Sequence, residues 1–275
     1  MRFVSRLYEG EICGEILSEA EITANLRNFD VFHVETRKSV TSTNTILREL
    51  AAQGAPEGYV LAADEQTAGK GRLGRHFYSP AGHGVYFSVL LRPGSKTKEP
   101  GLITTAAAVA AARALEDVFG VKAGIKWVND LFVDGKKICG ILTEASFDSE
   151  SGFIKSAVLG IGINITKPDE GYPEWAGGAA AALTDMRSGV DGGRCRLIAA
   201  ALDDFWEFYQ NLSERGFMEE YKTRSIVLGK DIFVLTHEGK KRAHALAIDD
   251  GCELVVRYTD GRIEKLGAGE VSIIP

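Results

Sequence analysis

The sequence predicts an α+β fold in which a mixed, largely antiparallel sheet carries packed helices and is followed by a small all-β barrel. Three observations predict it. The alanine-rich run from Gly101 to Phe119 has the composition of one long helix whose small side chains allow close packing on a sheet. Strand-like runs flank an Asp-Gly pair in Leu131-Phe-Val-Asp-Gly-Lys-Lys-Ile-Cys-Gly-Ile-Leu142, a hairpin signal. Beyond Val227 the apolar period switches from that of a helix to two.

Residues 1–34 form an acidic arm, three arginines against six acids, expected as a small hairpin or helix packed on the main domain. A DNA-binding helix-turn-helix needs about fifty residues and a basic recognition helix, and the arm offers neither. The main domain is expected over 35–226. Val31-Phe-His-Val34 reads as its first strand, and Thr41-Ser-Thr-Asn44 supplies hydroxyl caps for a short helix through Ile46, Leu47, Leu50 and Ala51. Tyr59 to Asp64 and Gly84-Val-Tyr-Phe-Ser-Val-Leu-Leu91 read as strands on either side of a glycine-rich loop. After the long helix, which should end at Gly120, come strands at Gly124–Trp127, the 131–142 hairpin and Phe153–Ile165. Helices are expected over Cys195–Leu212 and Phe217–Thr223. The barrel, 227–275, is built from Ile232–Leu235, Ala243–Ala247, Leu254–Tyr258 and Ile263–Leu266, punctuated by Glu238-Gly, Asp250-Gly and Asp260-Gly turns. Gly177–Ala182 reads as a loop.

A composition of 45% hydrophobic and 25% charged residues is that of a folded globular chain. The net charge of −6 provides no field for a polyanion, and the barrel's seven basic residues face eight acids, so DNA is not expected as a partner. Cys13, Cys139, Cys195 and Cys252 show neither C-x-x-C nor zinc spacing, and three lie in apolar segments, which fits a reducing, cytoplasmic setting. No window approaches the roughly 18 apolar residues of a membrane span, and the N-terminus lacks the pattern of a signal peptide.

The chemistry concentrates in Gly69-Lys-Gly-Arg-Leu-Gly-Arg75. Its glycines let backbone approach a ligand closely, and Lys70, Arg72 and Arg75 offer cations to an anion such as a phosphate. Gly69, Gly71 and Gly74 match G-x-G-x-x-G, but the residues after Gly74 run into Pro80 and then a strand, where a dinucleotide fold requires a helix. No G-x-x-x-x-G-K-[ST] occurs, which excludes a P-loop. Lys126-Trp-Val-Asn-Asp130 places Asn129, able to read an amide or purine edge, beside Asp130, a carboxylate suited to Mg²⁺. The bland alternative is a turn. Lys137, among Ile138, Ile141 and Leu142, would stabilise a carboxylate or phosphate better than a cation in bulk water. Gly160-Ile-Gly-Ile-Asn164 ends a strand with two residues lacking Cβ, which invites a flat apolar ligand or another backbone. His33, His76, His83, His237 and His244 have no metal spacing, and no Ser-His-Asp or Cys-His arrangement stands out.

Taken in order, Thr41-Ser-Thr-Asn44, Glu65-Gln-Thr-Ala-Gly-Lys-Gly-Arg-Leu-Gly-Arg75, Lys126-Trp-Val-Asn-Asp130, Lys137-Ile-Cys-Gly-Ile-Leu-Thr-Glu144 and Gly160-Ile-Gly-Ile-Asn164 resemble the biotin protein ligase family. The resemblance covers residues from about 35 to 225, and the terminal barrel, ending in Gly267-Ala-Gly-Glu-Val-Ser-Ile273, resembles the family's SH3-like domain. It implies a class II synthetase-like catalytic domain that uses MgATP to convert biotin to biotinyl-5′-AMP. Biotin then passes to a lysine of a biotin carboxyl carrier protein domain in acetyl-CoA carboxylase or a related carboxylase.

By the same resemblance Lys137 and Arg72 are the catalytic residues. Biotin would be held by Ser42, Thr43, Asn44, Gln66, Gly69, Gly71, Arg72, Lys137, Gly140, Gly160 and Gly162. The nucleotide would meet Arg72, Arg75, Phe77, Lys126, Trp127, Asn129 and Asn164, with Asp130 as the Mg²⁺ ligand. Lys70, Phe77 and Val128 stand where the family has arginine, tryptophan and proline. Lacking a winged helix, the chain is expected to be a monofunctional member without repressor activity, and the edges of its sheet would suit a homodimer. Competing readings are a lipoate or other carboxylate ligase on the same scaffold and a biotin-responsive regulator.

Overall fold

A computed structural model describes residues 17–176, 180–185, 193–236 and 239–274. The expectations for residues 1–16 with Cys13, for His237 and Glu238, and for the first half of the Gly177–Ala182 loop lie outside these residues. Among the described residues, two sheets and five α-helices account for most of the chain. The larger sheet has seven strands: β1 (His33–Val40), β2 (Tyr59–Gln66), β3 (Gly84–Leu91), β4 (Gly124–Lys126), β5 (Asp130–Val133), β6 (Lys136–Phe147) and β7 (Ile154–Asn164). Their spatial order is β1-β2-β3-β7-β6-β5-β4. Only the β1–β2 pair is parallel, so the sheet is mixed, as expected.

One face of this sheet packs on α3 (Pro100–Phe119) and α4 (Arg194–Gln210), with α1 (Glu19–Asn25) and α5 (Met218–Arg224) beside them. The alanine run of α3 is buried along its length because methyl side chains let sheet and neighbouring helix both come close. Gly120 ends the helix in the left-handed conformation that C-terminal caps favour. The opposite face is covered at one end by α2 (Thr43–Ala52), whose Leu47, Ile46, Leu50 and Ala51 pack on Leu61, Leu90 and Val158. Arg92 tethers the C-terminal end of α2 by donating to the carbonyls of Ala51 and Ala55. The rest of that face is open and forms the floor of the cavity described below.

Several boundaries differ from expectation. The first strand runs from His33 to Val40 instead of Val31 to Val34, because pairing with β2 extends through a charged stretch that periodicity does not mark as strand. No hydroxyl of Thr41-Ser-Thr-Asn44 caps α2: Ser42 occupies the N-cap position with no side-chain cap bond, and Thr43 and Asn44 already lie in the helix. The acidic arm contributes α1, anchored where the backbone N–H groups of Arg27 and Asn28 donate to Asp203 on α4. The Asp134-Gly135 turn forms as read, with φ of 48° and 76°.

The smaller sheet is antiparallel, in the order β11-β10-β9-β8-β12, from β8 (Asp231–Thr236), β9 (Gly239–Ile248), β10 (Leu254–Tyr258), β11 (Ile263–Leu266) and β12 (Glu270–Ile273). Strand β12, which follows too few apolar residues to register as periodic, pairs with β8. The two sheets share one continuous apolar core, and the indole N–H of the buried Trp127 donates to the Cys252 carbonyl at 2.9 Å. Cys139, Cys195 and Cys252 are buried free thiols. No described helix is long and apolar enough to cross a membrane.

Candidate active site

The open part of the sheet face carries three glycines, because Gly140 pairs with Gly162 across β6 and β7 and Gly160 lies two residues from Gly162 on the same face. Their missing side chains leave room for residues from other segments to settle on the sheet, and a cavity of about 590 Å³ is lined by these glycines and those residues. Polar floor residues come from α2 and β2: Ser42, Thr43, Asn44 and Gln66. Gln66 is oriented by the Thr43 backbone N–H, which donates to its Oε1 at 2.9 Å, while its Nε2 donates to Ser79 at 3.0 Å. The amide therefore has one defined face toward the cavity.

The glycine-rich loop forms one wall. It is a tight hairpin closed by Phe77 N–H donating to the Gly69 carbonyl at 2.9 Å and Gly71 N–H donating to the Arg75 carbonyl at 2.7 Å. No helix follows it, as the context of the motif required. Leu73 at its tip is left-handed, with φ of 56°, and exposed. Half-buried Arg72 donates to Asn129 Oδ1 at 2.9 Å, tying the loop to the Lys126–Asp130 segment, and burial lowers its pKa against the pull of Asp130 and Glu270. The second wall is that segment. Within it the Trp127–Val128 peptide is cis, and Lys137 on β6 makes a 2.7 Å ion pair with Asp130. Lys126 also faces the cavity, 5.4 Å from the centre of the Phe132 ring, and burial holds its pKa below that of an ordinary lysine, partly offset by Asp130.

Of the residues expected at the site, Ser42, Thr43, Asn44, Gln66, Gly71, Arg72, Arg75, Phe77, Lys126, Trp127, Asn129, Asp130, Lys137, Gly140, Gly160 and Gly162 line this cavity. Two do not. A Cβ on Gly69 would come within 2.4 Å of the Phe77 carbonyl oxygen, so this glycine lets the two loop strands close on each other. Asn164 is buried at the end of β7 and donates to the Ala181 carbonyl at 3.1 Å. The glycines of the sheet also behave differently from expectation. The Phe77 ring sits over Gly140 and Gly162, 2.5 Å from where a Cβ on Gly162 would stand, and Asn44 Oδ1 would be 2.1 Å from a Cβ on Gly160.

Sequence reasoning missed two contributions. Trp175 and Ala176, after β7, line the rim, and Trp175 meets His76 and Tyr78 edge to face at 5.9 and 6.1 Å. Gly269 and Glu270 arrive from the smaller sheet, where Glu270 binds Arg75 through two hydrogen bonds. The Gly267–Ile273 run was noted as the end of the barrel, but nothing in its pattern placed it at a cavity. Among the described residues no three His, Cys, Asp or Glu side chains converge as a metal site.

This arrangement gathers at least three cations and a set of oriented amides around one pocket, a combination that can hold two linked anionic groups and a neutral polar ring. Residues 37–164 match the biotin/lipoate A/B protein ligase family. The bifunctional ligase/repressor BirA of Bacillus spizizenii is 32% identical over 262 residues, spanning 94% of this chain and 79% of that protein. The biotin–[acetyl-CoA-carboxylase] ligase of Paracoccus denitrificans is 30% identical over 247 residues, spanning 84% and 96%. A solved structure of biotin protein ligase from Aquifex aeolicus in complex with biotin and ATP superposes with a TM-score of 0.71 and 26% identity, over 88% of this chain and 98% of that one. On fold, cavity and relatives together, the chain belongs to the biotin protein ligase family.

Proposed function

We propose that this chain is an ATP-dependent ligase that joins biotin to a lysine of a biotin carboxyl carrier protein domain. The observation that carries the reading is the meeting of Lys137, Arg72 and Lys126 with the oriented Thr43 and Gln66 in one cavity. In the first step a biotin carboxylate oxygen attacks the α-phosphorus of MgATP, the bond to the β-phosphate bridge breaks, and pyrophosphate leaves. In the second, the amine of the acceptor lysine attacks the acyl carbon, the bond to AMP breaks, and the amine loses a proton. Negative charge develops at the carboxyl–phosphoryl junction in both steps, so preoriented cations there lower both barriers.

Lys137 would hold the carboxylate and α-phosphate oxygens, exchanging its contact with Asp130 for the substrate. Arg72 and the glycine-rich loop would cover the adenylate, with Arg75 and Lys126 toward the phosphates and Asn129 toward the nucleotide. Mg²⁺ would enter with the nucleotide, and Asp130 would be the carboxylate to meet it. Thr43 and Gln66 would bind the ureido ring. Residues 227–275 are read as the SH3-like unit, whose Glu270 helps to set the loop.

The test is ATP-dependent incorporation of biotin into a purified biotin carboxyl carrier domain, with lipoate in parallel and ATP omitted as control. Biotin transfer alone supports the reading. Transfer of lipoate alone would keep the adenylation chemistry and overturn the substrate, and transfer of neither would overturn the ligase.

A further inference from the structure

Ser88 is a fully buried hydroxyl in β3, a strand buried along its whole length, and it does not line the cavity. Its Oγ lies 2.7 Å from Thr43 Oγ1 and 2.6 Å from Asn44 Oδ1. One hydroxyl proton faces two oxygens. The surroundings decide which one receives it. Asn44 Nδ2 donates to Glu144 Oε2 at 3.0 Å, and Arg48, one turn along α2, holds the other oxygen of Glu144 at 2.8 Å. The Asn44 amide is therefore oriented with Oδ1 toward Ser88, and an amide oxygen can only accept. Gly160, opposite Ser88 across β3 and β7, leaves the space this amide oxygen fills.

Ser88 must then donate to Asn44 and accept from the Thr43 hydroxyl. Gln66 Oε1 accepts from the Thr43 backbone N–H at 2.9 Å, and the Thr43 hydroxyl stands 3.1 Å from that oxygen but only 2.7 Å from Ser88 Oγ, which takes its proton. With its proton committed to Ser88, the Thr43 hydroxyl presents lone pairs to the cavity. We propose that Ser88 is a positioning residue that makes Thr43 an acceptor for a ligand N–H, so that the floor selects the N–H edge of a cyclic urea over a ring without polar hydrogens. The assignment rests on the biotin reading above.

The experiment measures the biotin dissociation constant of the full chain by calorimetry, together with the KM for ATP at saturating biotin. Wild type is compared with Ser88→Ala, Ser88→Thr and Ser88→Cys. Ser88→Ala is expected to weaken biotin about tenfold, the size of one hydrogen bond. The KM for ATP should stay within about twofold, since only the ground-state contact to biotin is lost. Ser88→Thr, which keeps the hydroxyl, should restore affinity, and Ser88→Cys, a weak donor of similar size, should fall between. Unchanged biotin affinity in Ser88→Ala overturns the proposal, as does a KM for ATP that rises in step with the biotin constant. Should Ser88→Ala not fold, wild-type affinity in Ser88→Cys overturns it equally. Failure of the wild type to bind biotin is a separate result, seen before any substitution, and it overturns the ligand.

Discussion

Arg75 on the glycine-rich loop and Glu270 on β12 are joined by two hydrogen bonds, of 2.9 and 2.5 Å, across 195 positions of sequence. The smaller sheet thereby sets one edge of a cavity built mainly by the larger one. Arg75 is 60% exposed and its partner 32%, so water screens the pair and it contributes about 1 kcal/mol or less to stability. Its effect is on the loop. Glu270→Ala is expected to leave the unfolding midpoint almost unmoved while trypsin cuts after Lys70, Arg72 or Arg75 several-fold faster; cleavage at the wild-type rate would show that the contact does not hold the loop.

Lys137 and Asp130 form the other close pair of the site. Lys137→Ala removes the cation proposed to hold the reacting oxygens, and biotin-dependent pyrophosphate release should fall by about 10²-fold or more. Circular dichroism should be unchanged, because Lys137 is only half-buried. Near-normal pyrophosphate release would remove Lys137 from the mechanism.

Burial depresses the pKa of Lys126, and the folded and unfolded chains therefore lose this proton at different pH. Between its folded value and the ordinary 10.5 the unfolded chain keeps a proton that the folded chain has released, so stability rises with pH across that window. Below the window both states are charged, and the folded state bears the full cost of burying the ammonium. The phosphate binding proposed for Lys126 runs the other way, since it needs the charged form. The KM for ATP should therefore climb at a pH below the ordinary lysine range, and Lys126→Arg, whose guanidinium stays charged, should move that limb upward. An alkaline limb that does not move would assign it elsewhere.

Gly162→Ala places a methyl 2.5 Å from the Phe77 ring. Overpacking of this kind costs about 1–3 kcal/mol. Phe77→Leu in the same chain should recover part of the loss, and a thermal double-mutant cycle reads the coupling directly. Strictly additive effects would mean that the ring does not need the glycine.

Much of the site was legible because its residues come in short contiguous runs whose chemistry is local. A loop with three glycines and three cations, a hairpin turn at Asp134-Gly135, and an alanine helix ending at Gly120 each follow from properties of neighbouring residues. The capping of α2 was misread for the same reason. Local pattern favours the hydroxyls of Thr41–Thr43 as caps, but in the fold the Thr43 hydroxyl bonds to Ser88, its backbone N–H donates to Gln66, and Ser42 lines the cavity. Tertiary hydrogen bonding outweighed a local preference.

The sequence by itself determined the fold class, the order of elements and the run of residues that carry the chemistry, since periodicity, turn residues and motif spacing are set along the chain. Only the tertiary structure decided what stands on the glycine face of the sheet, which filled Gly140 and Gly162 with Phe77 and Gly160 with Asn44, and left Gly69 and Asn164 outside the cavity. It alone brought Glu270 to Arg75 and Ser88 beneath Thr43. A strand's period says which side of it is free, and the side chain that arrives there is chosen by packing between segments that no sequence pattern links.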